Sequence, residues 1–195
     1  PAEIHYFRQQ RNAGTAEDFA NCFDPSWGPL VPRIRAALGN HEYNSGTASV
    51  AIDRFRLPQR GWYSYALGAW HVIVLNSNCA EVGGCERGSA QWRWLQADLA
   101  AHRNRCTLAY WHHPRFSSGD EHGDDPAMDA FWQPLYAAGV DVIVNGHDHD
   151  YQRSVPIDGV TYVVTGAASG TRRTGEADFT AVAYSWHNLV DIAVT

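Results

Sequence analysis

The sequence predicts a layered α/β fold in one domain. Three observations carry that expectation. Helical patterns alternate with short β-branched runs, three apolar runs end abruptly in clusters rich in His and Asn, and no repeat, low-complexity tract or linker divides the 195 residues. A content of 45% hydrophobic and 12% aromatic residues suffices to bury a core. Eight tryptophans against one methionine point to rigid aromatic packing.

Thr15-Ala-Glu-Asp18 has the form of a capping box that opens a short helix toward Phe23. Pro25, Pro29 and Pro32 predict irregular chain up to residues 34–38, a short apolar strand ending at Gly39. Residues 62–67 and 70–76 flank Gly68-Ala69 and predict a β-hairpin. Ser89 is placed to cap a helix reaching about His102, with Trp92, Leu95 and Leu99 on one face. Residues 107–111 predict a buried strand. Asp125-Pro126 is an N-cap and N1 pair for a helix that ends before Gly139 and kinks near Pro134. Residues 140–145 and 160–165 predict two further strands.

The net charge of −6, with fifteen basic residues thinly spread, argues against nucleic acid or an anionic membrane as partner. No apolar run approaches the roughly 20 residues that span a bilayer. The four cysteines, Cys22, Cys79, Cys85 and Cys106, allow three pairings, among which sequence does not choose. The loop from Cys79 to Cys85 contains two glycines and favours a local bridge, which would leave Cys22 to pair with Cys106. Zinc binding by these thiols is disfavoured because no Cys-x-x-Cys spacing occurs. Disulfides imply an exported protein, secreted or periplasmic, although residues 1–10 contain no hydrophobic stretch of a signal peptide.

The chemistry gathers at strand ends. The first apolar run stops at Gly39-Asn40-His41-Glu42, the second at His112-His113-Pro114, the third at Gly146-His147-Asp148-His149-Asp150. Ligand sites of α/β sheets lie beyond the carboxyl ends of the strands, so these three clusters can share one site. His147 and His149 are alternate residues of an extended segment and face the same way, which suits one metal or a bridge between two. Gly39 and Gly146 are expected to let the backbone turn sharply into the cluster.

These three clusters resemble the last three motifs of the calcineurin-like metallophosphoesterases, and of their purple acid phosphatase branch in particular. Similarity to secreted bacterial members runs from about Gly14 to Thr171 and includes Trp27-Gly28, the cysteine loop and Phe116-Ser117-Ser118-Gly119. The resemblance implies an α/β four-layer αββα sandwich with mixed sheets, a two-metal site, and hydrolysis of phosphomonoesters or diesters. It implies that Asn40, His112 and His147 bind one metal and His149 the other. It makes His41 and His122 the substrate-side histidines, contacting the phosphoryl group or protonating the leaving oxygen. The implied cofactor is one or two ions of zinc, iron or manganese, and the implied partner a small phosphoester.

The family pattern also contains an upstream Asp-x-His and a Gly-Asp-x-x-Tyr-like motif, which supply the bridging carboxylate. Neither is found here: counted back from Gly14, the Gly-Asp pair falls at Phe7-Arg8 and the aromatic at Arg11. The chain therefore reads as a partial sandwich lacking its N-terminal strand, and the stretch from about Arg172 also departs from the family. One metal, or two weakly held, is the expectation. Glu3 with His5, or Asp120, Glu121, Asp148 and Asp150, are the substitute carboxylates on offer. An uncovered sheet edge would invite a second copy, so a homodimer is expected. A non-catalytic metal-binding remnant is the alternative. A serine carboxylesterase is disfavoured because no Gly-x-Ser-x-Gly elbow occurs.

Overall fold

The computed structural model describes residues 14–102 and 106–166, with the backbone of 180–184. The expectations attached to Glu3, His5, Phe7, Arg8, Arg11 and Arg172 lie outside the described residues. The capping box forms as expected: the Asp18 N–H donates to Thr15 Oγ1, and the Thr15 N–H to Asp18 Oδ2. It opens helix α1 (Ala16–Asp18), which widens into a π-helical turn over Phe19–Phe23. The prolines do not forbid regular structure as expected. A 3-10 helix spans Gly28–Arg33 and contains Pro29 and Pro32, whose fixed φ suits its short hydrogen-bonding repeat.

Residues 34–39 run extended but join no sheet ladder among the described residues, contrary to the strand expected there. Side chains satisfy their carbonyls instead. Tyr110 Oη donates to Arg35 O (2.6 Å), Tyr63 Oη to Ala36 O (2.9 Å), and Asn78 Nδ2 to Leu38 O (3.1 Å). Helix α2 (Ser49–Phe55), not expected from the sequence, brings Ala51 and Ile52 into a small cluster with Phe19, Phe23, Ile34 and Leu38.

The hairpin forms as β1 (Tyr63–Leu67) and β2 (Trp70–Val74). A short helix α3 (Cys79–Val82) occupies the cysteine loop, closed by the Cys79–Cys85 disulfide. The second pairing does not form: no disulfide joins Cys22 and Cys106, which lie exposed on separate elements. Helix α4 (Ala90–Ala101) starts where Ser89 Oγ accepts the Trp92 N–H. Leu95 and Leu99 face the core as expected, whereas Trp92 is half-buried outside that cluster, beneath the Arg87 guanidinium.

Strand β3 (Cys106–Tyr110) follows. Asp125 Oδ1 then accepts the Ala127 N–H and caps a 3-10 turn that leads into α5 (Asp129–Ala137), which accommodates Pro134. The chain continues through β4 (Val142–Asn145), β5 (Tyr151–Ser154), β6 (Thr161–Thr165) and β7 (Thr180–Tyr184).

The seven strands make one mixed sheet in the order β1-β2-β3-β4-β6-β5-β7. Its centre, β2-β3-β4-β6, is parallel; β1, β5 and β7 are added antiparallel. The second sheet of a four-layer sandwich is not found among the described residues. One face of the sheet packs on α4 and α5 through fully buried Ile73, Leu95, Leu135 and Ile143, each contributing about 1.5–3 kcal/mol. Four parallel strands thus deliver their carboxyl ends to one rim, where Asn76, His112, Gly146 and Gly166 emerge.

The other face carries Val72, Val74, Leu108, Tyr110 and Val144. Burial raises the Tyr110 hydroxyl well above the ordinary phenolic value near 10 and raises that of Tyr63 also. An unfolded chain ionises these phenols near pH 10 while the fold keeps them protonated. Their contribution to stability is therefore present below pH 10 and lost as pH rises above it. Phenolate absorbance and near-UV circular dichroism followed together above pH 10 should change in one transition. Ionisation of Tyr63 and Tyr110 with the fold intact would contradict this.

Candidate metal centre

The site is assembled from three loops at the carboxyl rim. The first is the 3-10 turn Asn40–Tyr43, pinned where the Gly39 N–H donates to Glu42 Oε2 (2.7 Å). Gly39 itself has φ −98°, open to any residue, so a sharp turn is not why glycine stands there. A Cβ at Gly39 would lie 2.9 Å from the His112 imidazole; the missing side chain is room for that ring.

The second loop follows β3. His112, 2% exposed, places Nε2 at 2.8 Å from Asn40 Oδ1 and 3.1 Å from His147 Nδ1. Ser77 Oγ and His113 Nδ1 are 2.8 Å apart, and the His113 N–H donates to the same hydroxyl. Asn76, fully buried at the end of β2, donates through Nδ2 to Tyr43 Oη and the Arg60 carbonyl. Asn78 joins Asn76 Oδ1 to the Leu38 carbonyl, so the end of β2 fixes the turn that carries Asn40.

The third loop follows β4. The Gly146 N–H donates to the His112 carbonyl (3.0 Å), and His147 then takes φ +68°. It is His147, not the glycine before it, that adopts the left-handed conformation. Such strain costs about 1–3 kcal/mol and collects at functional sites. His122 lies almost parallel on His147, with ring centroids 3.9 Å apart, and 6.3 Å from the ring of His149. His149 Nδ1 stands 4.0 Å from Glu121 Oε2.

The two aspartates of the third cluster are not turned to this opening. Asp148 and Asp150 are buried; Ser117 Oγ donates to Asp148, and Gln152 Nε2 donates to both oxygens of Asp150. Burial raises both carboxyls, that of Asp150 to about 6 despite the Gln152 bonds that favour its anion. Among the described residues, Glu121 stands in a group with His122 and His149, and Asp148 Oδ1 accepts the His122 backbone N–H (3.2 Å).

The structure thus brings together Asn40, His112 and His147, and beside them His122, His149 and Glu121. His41 sits half-buried in the same turn as Asn40. His113 was passed over by sequence reasoning, yet its donor atom groups with those of His112 and His147 within 4.8 Å. The doubled His112-His113 was the available signal. Asn76 and Asn78 read only as a strand end, because their partners are 15 to 40 residues away.

The donor set fits a metal. Two ligand atoms each about 2.0–2.1 Å from one ion are about 2.9 Å apart in adjacent octahedral positions and about 3.3 Å in tetrahedral ones. The separations of 2.8 and 3.1 Å around His112 Nε2 match that spacing.

Comparison with known proteins identifies the family. Residues 11–151 match the model of the calcineurin-like phosphoesterase family. An uncharacterised protein of Mycobacterium tuberculosis is 33% identical over 148 residues, covering 63% of this chain and 28% of that protein. Purple acid phosphatase 21 of Arabidopsis thaliana is 35% identical over 166 residues, covering 71% and 37%. Purple acid phosphatase 15 of the same plant is 26% identical over 187 residues, covering 78% and 34%. The chain therefore spans about a third of the length of the curated relatives it matches.

Among solved structures, the purple acid phosphatase PPD1 of yellow lupin seeds superposes with a TM-score of 0.78 at 15% identity. That match covers 93% of this chain and 40% of the lupin chain. GAP50 of Plasmodium, described as the anchor in the inner membrane complex, gives 0.71 at 14% identity, covering 93% and 67%. These likenesses show the shared fold. With the family model matched over most of its length, this chain belongs to the calcineurin-like phosphoesterases.

Proposed function

We propose that the chain is a metallophosphoesterase domain that hydrolyses phosphomonoesters, with a zinc, iron or manganese ion held by Asn40, His112 and His147. The observation that supports this most is the convergence of Asn40 Oδ1 and His147 Nδ1 on His112 Nε2. An amide oxygen and two imidazoles without thiolate suit those metals. His149 and Glu121 would hold a second ion more weakly, since their atoms are 4.0 Å apart and Glu121 is exposed.

A bound ion supplies Lewis acidity, drawing charge from a phosphoryl oxygen and making water acidic enough to attack near neutral pH. The protein's own residues position and protonate. Asn40 and the packed, buried His112 fix the donors with little freedom to reorganise. His41, next to Asn40, and His122, lying on His147, are the imidazoles beside the donors, suited to protonate the leaving oxygen or donate to the non-bridging ones. Ser117 and Gln152 hold Asp148 and Asp150 inward, which spares an incoming phosphate their charge.

Export is proposed with this function, on the Cys79–Cys85 disulfide, because such bonds persist in oxidising compartments. Among the described residues no helix is long and apolar enough to cross a membrane.

Metal-loaded protein should hydrolyse an activated aryl phosphate, lose that activity to a chelator, and regain it with zinc, iron or manganese. Undiminished turnover after exhaustive chelation would sink the proposal. One observation favours a second reading, a metal-binding module without catalysis: no carboxylate stands among the three converging donors. Metal held in a His147-dependent manner without hydrolysis would select it.

A further inference from the structure

We propose that His71, Asp98 and His102 form a second, independent binding site for a divalent zinc-like ion, clamping helix α4 to strand β2. One donor atom from each of the three lies within 4.8 Å of the others. His71 is the second residue of β2 and pairs with Thr107 at the start of β3, five residues before His112. At about 3.3 Å per residue, the cluster is about 16 Å from the rim that carries the phosphoesterase site, at the opposite end of the parallel strands.

Four features suit a cation here. First, Asp98 and His102 are one turn apart on α4, so their side chains rise from the same helical face and can chelate together. His71 completes the set from the strand beneath. Second, His71 Nε2 and Asp98 Oδ2 are 2.6 Å apart, at 5% and 7% side-chain exposure. The two atoms face each other across one hydrogen bond, and a cation would take the place of that bond.

Third, Ser64 Oγ donates to Asp98 Oδ1 (2.7 Å), orienting the carboxylate and leaving Oδ2 toward His71, as supporting bonds do around known metal ligands. Fourth, His102 is the C-cap of a twelve-residue helix, where the negative end of the helix dipole favours positive charge.

The His102 ring stacks on His71 at 4.0 Å; its Nδ1 lies 2.9 Å from the Asp98 carbonyl oxygen, a bond it would exchange for the ion, and 3.5 Å from Asp98 Oδ1. At 47% exposure it is the ligand open to solvent. Two imidazoles, one carboxylate and a water make a four-coordinate zinc set. The ion would tie the hairpin to α4, adding a cross-link to the Ile73–Leu95 packing and the Asp98 contacts that already join them.

Zinc per chain, counted by elemental analysis after equilibration with zinc chloride and desalting, tests this on the whole chain. Wild type should retain about one equivalent more than His102→Ala, and its melting temperature should rise with zinc more than that of the variant. His102 is exposed, so its loss does not threaten folding. Asp98→Asn, which keeps the shape and removes the charge, should lower zinc affinity at this site at least about 100-fold, beyond the 10–100-fold typical of a lost supporting contact. The same zinc count in His102→Ala as in wild type would overturn the proposal. So would a His147→Ala protein that retains no zinc while its His71 and His102 are intact.

Discussion

Replacing His112 with alanine should lower kcat/KM for an aryl phosphate by about 1,000-fold or more and reduce metal content in parallel. His112 Nε2 is the atom on which the other two donors converge, so its loss separates Asn40 Oδ1 from His147 Nδ1. A loss of about 4 kcal/mol of transition-state stabilisation, ordinary for Lewis-acid catalysis, corresponds to that factor. The same change opens a hole beside Gly39 and strips a partner from Asn40, so a stability cost of about 2–4 kcal/mol should accompany it. His147→Ala separates the two effects: His147 is only half-buried and its native backbone is strained, so activity should fall with little change in melting temperature. Rates within tenfold of wild type in both variants, with metal retained, would show that these residues do not carry the chemistry.

Gly166→Ala should be the most damaging small substitution at the rim. A Cβ there would lie 2.0 Å from the Asp148 carbonyl oxygen and 2.9 Å from its carbon. Both atoms are backbone, held by the Gly166 N–H bond to the Asp150 carbonyl (3.0 Å), so no flexible side chain can yield. Overpacking typically costs about 1–3 kcal/mol, and a backbone overlap of this depth belongs at or above the top of that range. A melting temperature about 10 °C lower is expected for a chain of this size. Since the displaced segment carries His147 and His149, metal affinity should fall with it. A variant that melts within 2–3 °C of wild type, roughly what about 1 kcal/mol would produce, would mean that the loop moves freely.

Much of the fold was legible because local signals coincided with it. Thr15, Ser89 and Asp125 each announced a helix start that the structure realises through a side-chain oxygen and a backbone N–H. The β-branched runs marked β2, β4 and β6 because parallel strands buried on both faces need continuous apolar sequence. Residues 34–38 misled for the same reason. An apolar run says that a segment is buried, not that its backbone bonds to a neighbour, and here tyrosine and asparagine side chains make those bonds.

At the site, the three proposed ligands were visible as three motifs, whereas their support was not. Nothing local in Asn76, Asn78, Ser117 or Gln152 tells that each bonds across a long stretch of chain. The expected extended segment does not form, since residues 147–150 bend and His147 is left-handed; nor could alternation tell that the intervening acids are taken up by Ser117 and Gln152.

The extended arm of residues 34–39 has a consequence for tuning. A strand in a ladder is gained or lost as a unit, because each bond depends on the register of the next. An arm hung on separate pegs, from Tyr110, Tyr63 and Asn78, can be slackened one peg at a time, each worth about 1 kcal/mol. The position of Asn40 at the proposed metal site is thus an adjustable quantity, graded by residues of the hairpin, of β3 and of the loop after β2.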